Sequence, residues 1–309
     1  MVRVIKPGML TTIQDAGRWG YQSRGVPVAG PMDPCSFRLA NALVGNARTA
    51  AALEITLLGP ELEFAGERIV AIAGAEFDVT LDGKPVPLNA PFIVSPESHL
   101  RFGGRRRGSR AYVAFAGGIA TEPILGSRST HLISGMGGLD GRPLRAGDVV
   151  PLGPTRIEHV TPRAATPVIE LPDRHATIRV LAGPQADYFS ADALEILQSR
   201  PYTVGQQSDR MGFRLDGPTL AHARGADIIS DATPLGVLQV PASGQPILLM
   251  ADRQSTGGYP KIATVISADI PIAGQLGPGD TISFIVCTMT EAMAALITQE
   301  QALMSLEAA

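Results

Sequence analysis

Cysteine is scarce in this 309-residue chain: only Cys35 and Cys287 occur, with no C-x-x-C pair. A disulfide framework and a cysteine-based zinc site are both disfavoured by that count. The five histidines, His99, His131, His159, His175 and His222, are scattered without H-x-H or H-E-x-x-H spacing. No metal-ligand set is therefore expected. Charge is also thin: 18% of residues are Asp, Glu, Lys or Arg, against about 25% in average proteins. The missing charge points to extra buried surface, such as an interface with another chain, and leaves a homo-oligomer open. The formal net charge is −3, which argues against a general nucleic-acid binder. No apolar run approaches the roughly 18 residues that would span a membrane, and the segment Met1 to Pro7 lacks the apolar stretch of a signal peptide. A soluble cytoplasmic protein is expected. Nucleotide-binding signatures are missing too. No G-x-x-x-x-G-K-[ST] exists, and Gly135-Met136-Gly137-Gly138 has Asp140 where a third G-x-G-x-x-G glycine would fall. No Ser-His-Asp or Cys-His set is recognisable from spacing.

Apolar residues (45%), 34 glycines and 25 prolines are plentiful. That combination predicts short strands joined by many turns rather than long helices. Three helices are expected. Asp33-Pro34 reads as an N-cap followed by a first-turn proline, with Phe37, Ala40, Asn41 and Val44 on helical spacing. A second helix is expected from about Pro184 to Ser199. The third follows the capping box Thr288-Met289-Thr290-Glu291 and carries an apolar stripe of Met293, Leu296, Ile297, Leu303 and Met304. Strands are expected at Val70 to Ala73, Tyr112 to Ala116, Ile247 to Met250 and Ile282 to Val286. Asp82-Gly83 turns a hairpin whose arm begins at Phe77.

The predicted fold is mainly β: two barrel units, few short helices and a C-terminal helix. The expected boundaries are 1–155, a proline-rich linker at 156–176, a second barrel at 177–288 and the helix at 289–309. A short repeat straddles the linker. Leu57-Leu58-Gly59-Pro60-Glu61-Leu62 and Leu215-Asp216-Gly217-Pro218-Thr219-Leu220 share L-x-G-P-x-L, which fits two related units.

Five clusters carry polar chemistry. Thr11 to Tyr21 holds Gln14, Asp15 and Arg18 between turn formers. Asp15 reads either as the acceptor of a tight turn or as the orienter of an Arg18 fork for a carboxylate or phosphate. Asp252-Arg253-Gln254-Ser255-Thr256-Gly257-Gly258-Tyr259-Pro260-Lys261 follows an apolar strand, as expected of groups at a barrel mouth. The alternative there is a solvated loop with an Asp252–Arg253 ion pair. Gly257 and Gly258 permit close backbone approach to a ligand. In Ser208 to Leu215, Arg210 beside Asp209 is an anion clamp or a structural ion pair. Gly126-Ser127-Arg128-Ser129-Thr130 binds an anion or makes an ordinary turn. Arg101, Arg105, Arg106, Arg107 and Arg110, punctuated by Gly103-Gly104 and Gly108, read as exposed arginines of a hairpin.

Six motifs in order, from TTIQDAGRWGY through GVPVAGPMDPCSFRLAN, AALEITLLGPELEF, AFAGGI with GSRST, SDRMGFRLDGP and QVPASGQPILLMADRQSTGGYPKI, resemble the biotin-dependent carboxyltransferase family. That family is also called allophanate hydrolase subunit 2, or KipA/PxpC. The resemblance runs from near Lys6 to near Phe284. It implies cyclophilin-like barrel units. It further implies either the C component of a bacterial ATP-dependent 5-oxoprolinase, or the carboxyltransferase part of a urea carboxylase that moves CO2 from carboxybiotin. A regulatory Kip-type role is a third implication. The 5-oxoprolinase reading brings a KipI-like B component, a LamB/YcsF-type A component, and ATP with Mg2+. The chain has no A-M-K-M biotin-attachment motif, so any biotin would arrive on a partner. The site residues implied are Asp15, Arg18, Asp252, Arg253 and Lys261 for chemistry. Gln14, Arg210, Gln254, Thr256, Gly257, Gly258 and Tyr259 would bind substrate or ATP.

Overall fold

The computed structural model describes residues 1–155 and 164–308. The chain divides into two compact units. The first comprises Met1–Arg18, Ala29–Leu171 and Gln301–Ala309; the second comprises Trp19–Val28 and Pro172–Glu300. Residues 156–163 of the expected linker, Pro162 among them, lie outside the described residues.

Unit 1 is a nine-stranded, largely antiparallel sheet, curled into a half-barrel. Its strands are β1 (Val2–Lys6), β2 (Leu10–Gln14), β3 (Ala52–Thr56), β4 (Glu61–Phe64), β5 (Arg68–Leu81), β6 (Lys84–Pro85), β7 (Pro91–Val94), β8 (His99–Phe115) and β9 (Val149–Val150). Side chains alternate between the two faces of a strand. Ile13, Leu53, Ile55, Val70, Ile72, Val113 and Phe115 fill the inner core. Ala52, Ala71, Ala73, Tyr112 and Ala114 meet helix α1 (Pro34–Leu43) on the other face. The helix starts where the sequence predicts: Asp33 Oδ1 accepts from the Ser36 N–H at 3.0 Å, and Pro34 occupies the first turn. The Asp82-Gly83 hairpin also forms, pairing Leu81 with Lys84.

The arginine-rich segment departs from expectation. Gly103, Gly104 and Gly108 do not turn a hairpin. They lie within the single 17-residue strand β8, whose register against β5 slips at three places between Gly74 and Val79. Glycine in a strand absorbs such irregularities as readily as it makes turns. The arginines find local partners: Arg101 bonds Glu61 at 2.9 Å, Arg106 pairs with Asp78, and Arg107 donates to Leu171 O at 2.6 Å.

Unit 2 is a closed seven-stranded barrel. Its strands are β10 (His175–Ala182), β11 (Tyr202–Val204), β12 (Gly212–Asp216), β14 (Val237–Gln239), β15 (Ile247–Leu249), β17 (Lys261–Val265) and β18 (Thr281–Val286). Two further short strands, β13 (Asp231–Ala232) and β16 (Thr256–Gly257), pair outside the barrel. Closure comes from a parallel β10–β18 ladder running from His175↔Thr281 to Val180↔Val286, and it leaves no free sheet edge. The helix expected at 184–199 is interrupted. A 3-10 turn at Ala186–Tyr188 and the short α2 (Ala193–Ser199) replace it. Another short helix, α3 (Ile270–Ala273), follows β17.

The C-terminal helix α4 spans Met289–Glu307. Its capping box forms in both directions: Thr288 N–H donates to Glu291 Oε2 at 2.7 Å, and Glu291 N–H donates to Thr288 Oγ1 at 3.2 Å. Its apolar stripe is only partly buried: Leu303 lies inside and Leu296 is half-buried, while the other three members face out. Leu303 and Ala292 are buried, whereas Met289, Met293, Ile297 and Met304 are exposed.

The repeated L-x-G-P-x-L performs one task in both units. A Cβ on Gly59 would lie 2.3 Å from Phe102 Cβ, and one on Gly217 would lie 2.5 Å from Tyr202 Cδ1. Each glycine is roofed by an aromatic residue that also bonds the following proline carbonyl. Phe102 N–H reaches Pro60 O at 3.2 Å, and Tyr202 OH reaches Pro218 O at 2.9 Å. Gly59→Ala and Gly217→Ala should each destabilise their own unit by about 1–3 kcal/mol through overpacking. Urea unfolding of the two variants checks this, and wild-type midpoints would refute the tight-packing account.

Candidate functional site

The first constellation lies in unit 1, where β2 ends. Gln14 is the last residue of β2, and the chain turns through Asp15 to Gly17. The segment Ser127–Thr130 lies alongside, with Thr130 N–H donating to Ile13 O at 2.9 Å. Two of the sequence clusters therefore meet here. Asp15 Oδ1 accepts from Ser127 Oγ at 2.6 Å, Ser129 Oγ at 2.7 Å and Gly17 N–H at 2.9 Å, while Oδ2 accepts from the Arg128 N–H. The carboxylate is buried and surrounded by donors, which compensates the loss of water. Arg18 is fully buried, and its guanidinium serves backbone carbonyls: Nε reaches Ile124 O at 2.9 Å and Nη2 reaches Ser129 O at 3.0 Å. In this arrangement Asp15 and Arg18 knit two loops together. Gln14 donates to Thr12 Oγ1 and Thr130 O. Its Oε1 is buried without a hydrogen-bond partner among the described residues, which costs about 1–3 kcal/mol.

The same unit holds a buried carboxylate that the sequence reading overlooked. Glu54 Oε2 accepts from the Met32 N–H at 2.8 Å and from Tyr112 OH at 2.7 Å. Burial, then the neighbouring Glu54 charge, holds the Tyr112 phenol well above its ordinary pKa. A lone glutamate inside the apolar strand Ala52–Thr56 was the available signal.

The second constellation lies in unit 2, around the loop 251–260. Asp252 does not pair with Arg253, nor Arg210 with Asp209. Instead Arg210 and Asp252 form a bidentate pair, Nε–Oδ2 3.1 Å and Nη2–Oδ1 2.9 Å, with each side chain 3% exposed. Asp209 accepts from the Met211 and Gly212 N–H groups in a local turn. Arg253 donates to Thr233 O at 2.8 Å, and burial lowers its pKa. The planar fork of Arg210 finds its geometric complement only across the loop, because adjacent residues on a chain cannot present two parallel N–H···O bonds so readily.

Lys261, the first residue of β17, is 1% exposed, and its ammonium contacts Asp231 on β13. That contact is the largest cause holding the Asp231 carboxyl below its ordinary pKa. Neutral amides collect around this pair. Gln185 Oε1 accepts from Lys261 N–H at 3.3 Å, and Gln254 Nε2 donates to Gln239 Oε1 at 3.2 Å. A Cβ on Gly257 would lie 2.6 Å from Gln239 Nε2, so the close approach at this glycine accommodates the protein's own glutamine. A Cβ on Gly258 would lie 3.5 Å from Ile228 O, an ordinary contact. Thr256 and Tyr259 are exposed on the loop. Asp231, Gln185 and Gln239 escaped the sequence reading. Gln239, a polar residue inside the apolar run Gly236 to Val240, was the one detectable sign.

Residues 24–286 match the family described as carboxyltransferase domain, subdomain A and B, and the chain belongs to that family. Its similarities are specific. It is 37% identical over 301 residues to the C component of 5-oxoprolinase from Escherichia coli, covering 97% of this chain and 96% of that one. It is 38% identical to urea amidolyase of Lachancea kluyveri, covering 98% of this chain but 18% of that much longer protein. The crystal structure of the K. lactis urea amidolyase superposes with a TM-score of 0.93 over 99% of this chain and 20% of that one, at 34% identity.

Removing one partner of the Arg210–Asp252 pair strands a buried charge. Arg210→Met should therefore destabilise unit 2 by about 3–5 kcal/mol, and a compensating apolar Asp252→Leu in the same chain should recover most of that loss. Denaturant titrations of the single and double variants decide the matter; equal losses in both would show that charge is not the cause.

Proposed function

We propose that this chain acts as the C component of an ATP-dependent 5-oxoprolinase, which opens the lactam of 5-oxo-L-proline to L-glutamate. A KipI-like B component and a LamB/YcsF-like A component complete the complex. One observation carries this reading: the match to the E. coli 5-oxoprolinase component takes in 96% of that protein. Nearly the whole of that relative has a counterpart here. The urea amidolyase match takes in 18% of its protein, so that activity draws on sequence outside the matched region. The resemblance to urea amidolyase, with its 0.93 TM-score, supports a second reading: carboxyl transfer from a carboxybiotin supplied by a partner.

Both chemistries develop negative charge on an amide oxygen, and a donor held in a dry environment stabilises such charge more than one in water. We assign that task to Lys261 and Arg253, with Gln254, Thr256, Gly257, Gly258 and Tyr259 of the same loop framing the substrate. Asp15, Arg18, Arg210 and Asp252, held in the contacts described above, are read as positioning residues.

Three of the cations expected to meet ATP are already engaged. Arg18 donates to carbonyls, while Arg210 and Lys261 face carboxylates. ATP with Mg2+ is accordingly assigned to the assembled complex rather than to a cradle of this chain.

The decisive assay is glutamate release from 5-oxo-L-proline with ATP, omitting each of the three components in turn. Release that requires this chain and ATP is the expected result. Release that requires a carboxylated biotin carrier, with urea as the substrate consumed, would replace this reading by the second one. Within the active complex, Lys261→Met should lower turnover by roughly a hundredfold to a thousandfold, the range seen on removing one charge-stabilising donor.

A further inference from the structure

The buried Lys261 ammonium and its partner differ in one respect. Lys261 is 1% exposed, whereas the Asp231 side chain is 54% exposed. The cation belongs to the barrel wall; the anion reaches it from outside. Among the described residues, Asp231 is the only carboxylate within ion-pair distance of Lys261. Asp231 sits on a strap, residues 223–232, in which every residue is exposed or half-buried, and Ile229 is 94% exposed. Few backbone bonds hold the strap down. They are the two-residue β13–β16 ladder, Ile228 N–H to Gly258 O at 2.8 Å, and Ala223 and Arg224 N–H to Tyr188 O. Besides Lys261, the Asp231 carboxylate meets only neutral donors among the described residues: the adjacent Ala232 N–H at 2.7 Å and the Gln185 side-chain amide.

Resting on the assignment of Lys261 to the substrate site, we propose that Asp231 is a built-in stand-in for a substrate carboxylate. In the resting chain it neutralises Lys261. An incoming small carboxylate takes its place on the ammonium and displaces the strap. The substitution is one anion for another, so the buried charge is never left alone. A neutral amide such as urea offers no such exchange, since expelling Asp231 would strand the ammonium in a desolvated site. The adjacent Gln185, Gln239 and Gln254 supply neutral amide groups suited to the uncharged remainder of the ligand. The site thereby selects a lactam that bears a carboxylate.

The test uses the chain alone, without ATP or partners. Asp231→Ala should lower the Tm by about 5 °C or more, because it leaves the buried ammonium without its anion. Acetate and 5-oxo-L-proline should restore it at constant ionic strength against chloride, whereas 2-pyrrolidinone, the lactam without a carboxylate, should not. Wild type should need roughly tenfold more carboxylate for a comparable shift, because its own anion competes. In the double variant Asp231→Ala with Lys261→Met the carboxylate effect should vanish. If Asp231→Ala does not fold, Asp231→Asn titrated calorimetrically with 5-oxo-L-proline should bind about tenfold tighter than wild type. Equal binding there, carboxylate-insensitive Asp231→Ala, or an undiminished response in the double variant would each overturn the stand-in. Carboxylate rescue without glutamate release from the full complex would keep this site and sink the 5-oxoprolinase reading. Release without rescue would do the reverse.

Discussion

Desolvation governs every charged side chain that matters in this protein. A charge removed from water must find an opposite charge or a full set of hydrogen bonds. Arg210 answers with Asp252, Arg18 with backbone carbonyls, Asp15 with two hydroxyls and two N–H groups, and Glu54 with Tyr112 and the Met32 N–H. Most of these bonds join segments far apart in sequence. The loops at the ends of strands are therefore held by electrostatic necessity as much as by packing. Lys261 obeys the same rule, with the difference that its partner comes from an exposed strap.

The two units satisfy their backbones in different ways. Unit 2 closes its sheet through the parallel β10–β18 ladder, and so needs no cover for an edge. Unit 1 leaves its sheet curled but open, and relies on α1 over one face and on the long β8 to tie β3, β4 and β5 together. Its register slips let one 17-residue strand bend enough to serve all three. The glycine-under-aromatic device recurs in both units. That recurrence gives the short L-x-G-P-x-L repeat a physical meaning: a chain reversal pressed against a ring leaves no room for a side chain.

The loop 251–260 shows how a polar run acquires chemical character. As bare sequence, it is a string of donors and acceptors. In the barrel, Asp252 turns inward to Arg210, Arg253 anchors Thr233 O, and Gln254 reaches Gln239. What faces outward is a smaller set beside one buried ammonium. That ammonium is not idle either, since Asp231 holds it; the polar character of the loop is set by which long-range partner each side chain finds.

Local rules sufficed for much of this protein. The Asp33 cap, the Thr288–Glu291 box, the Asp82-Gly83 turn and the apolar strands are legible because each depends on residues within a few positions of one another. Strand-rich architecture followed from glycine, proline and alternating apolar residues, and the family from six ordered motifs. Partnerships were not legible. Arg210 with Asp252, Asp15 with Ser127 and Ser129, and Lys261 with Asp231 are 42, 112 and 114, and 30 positions apart. Adjacent pairs such as Asp209–Arg210 looked equally plausible on paper. The partly exposed stripe of α4 and the unbroken β8 departed from expectation for the same reason: local pattern states which residues share a face or invite a turn, not what lies opposite them. Sequence determined the elements and their caps, since those are short-range energies. Only the tertiary fold decided which charges were buried together, because desolvation is a property of the surroundings that folding creates.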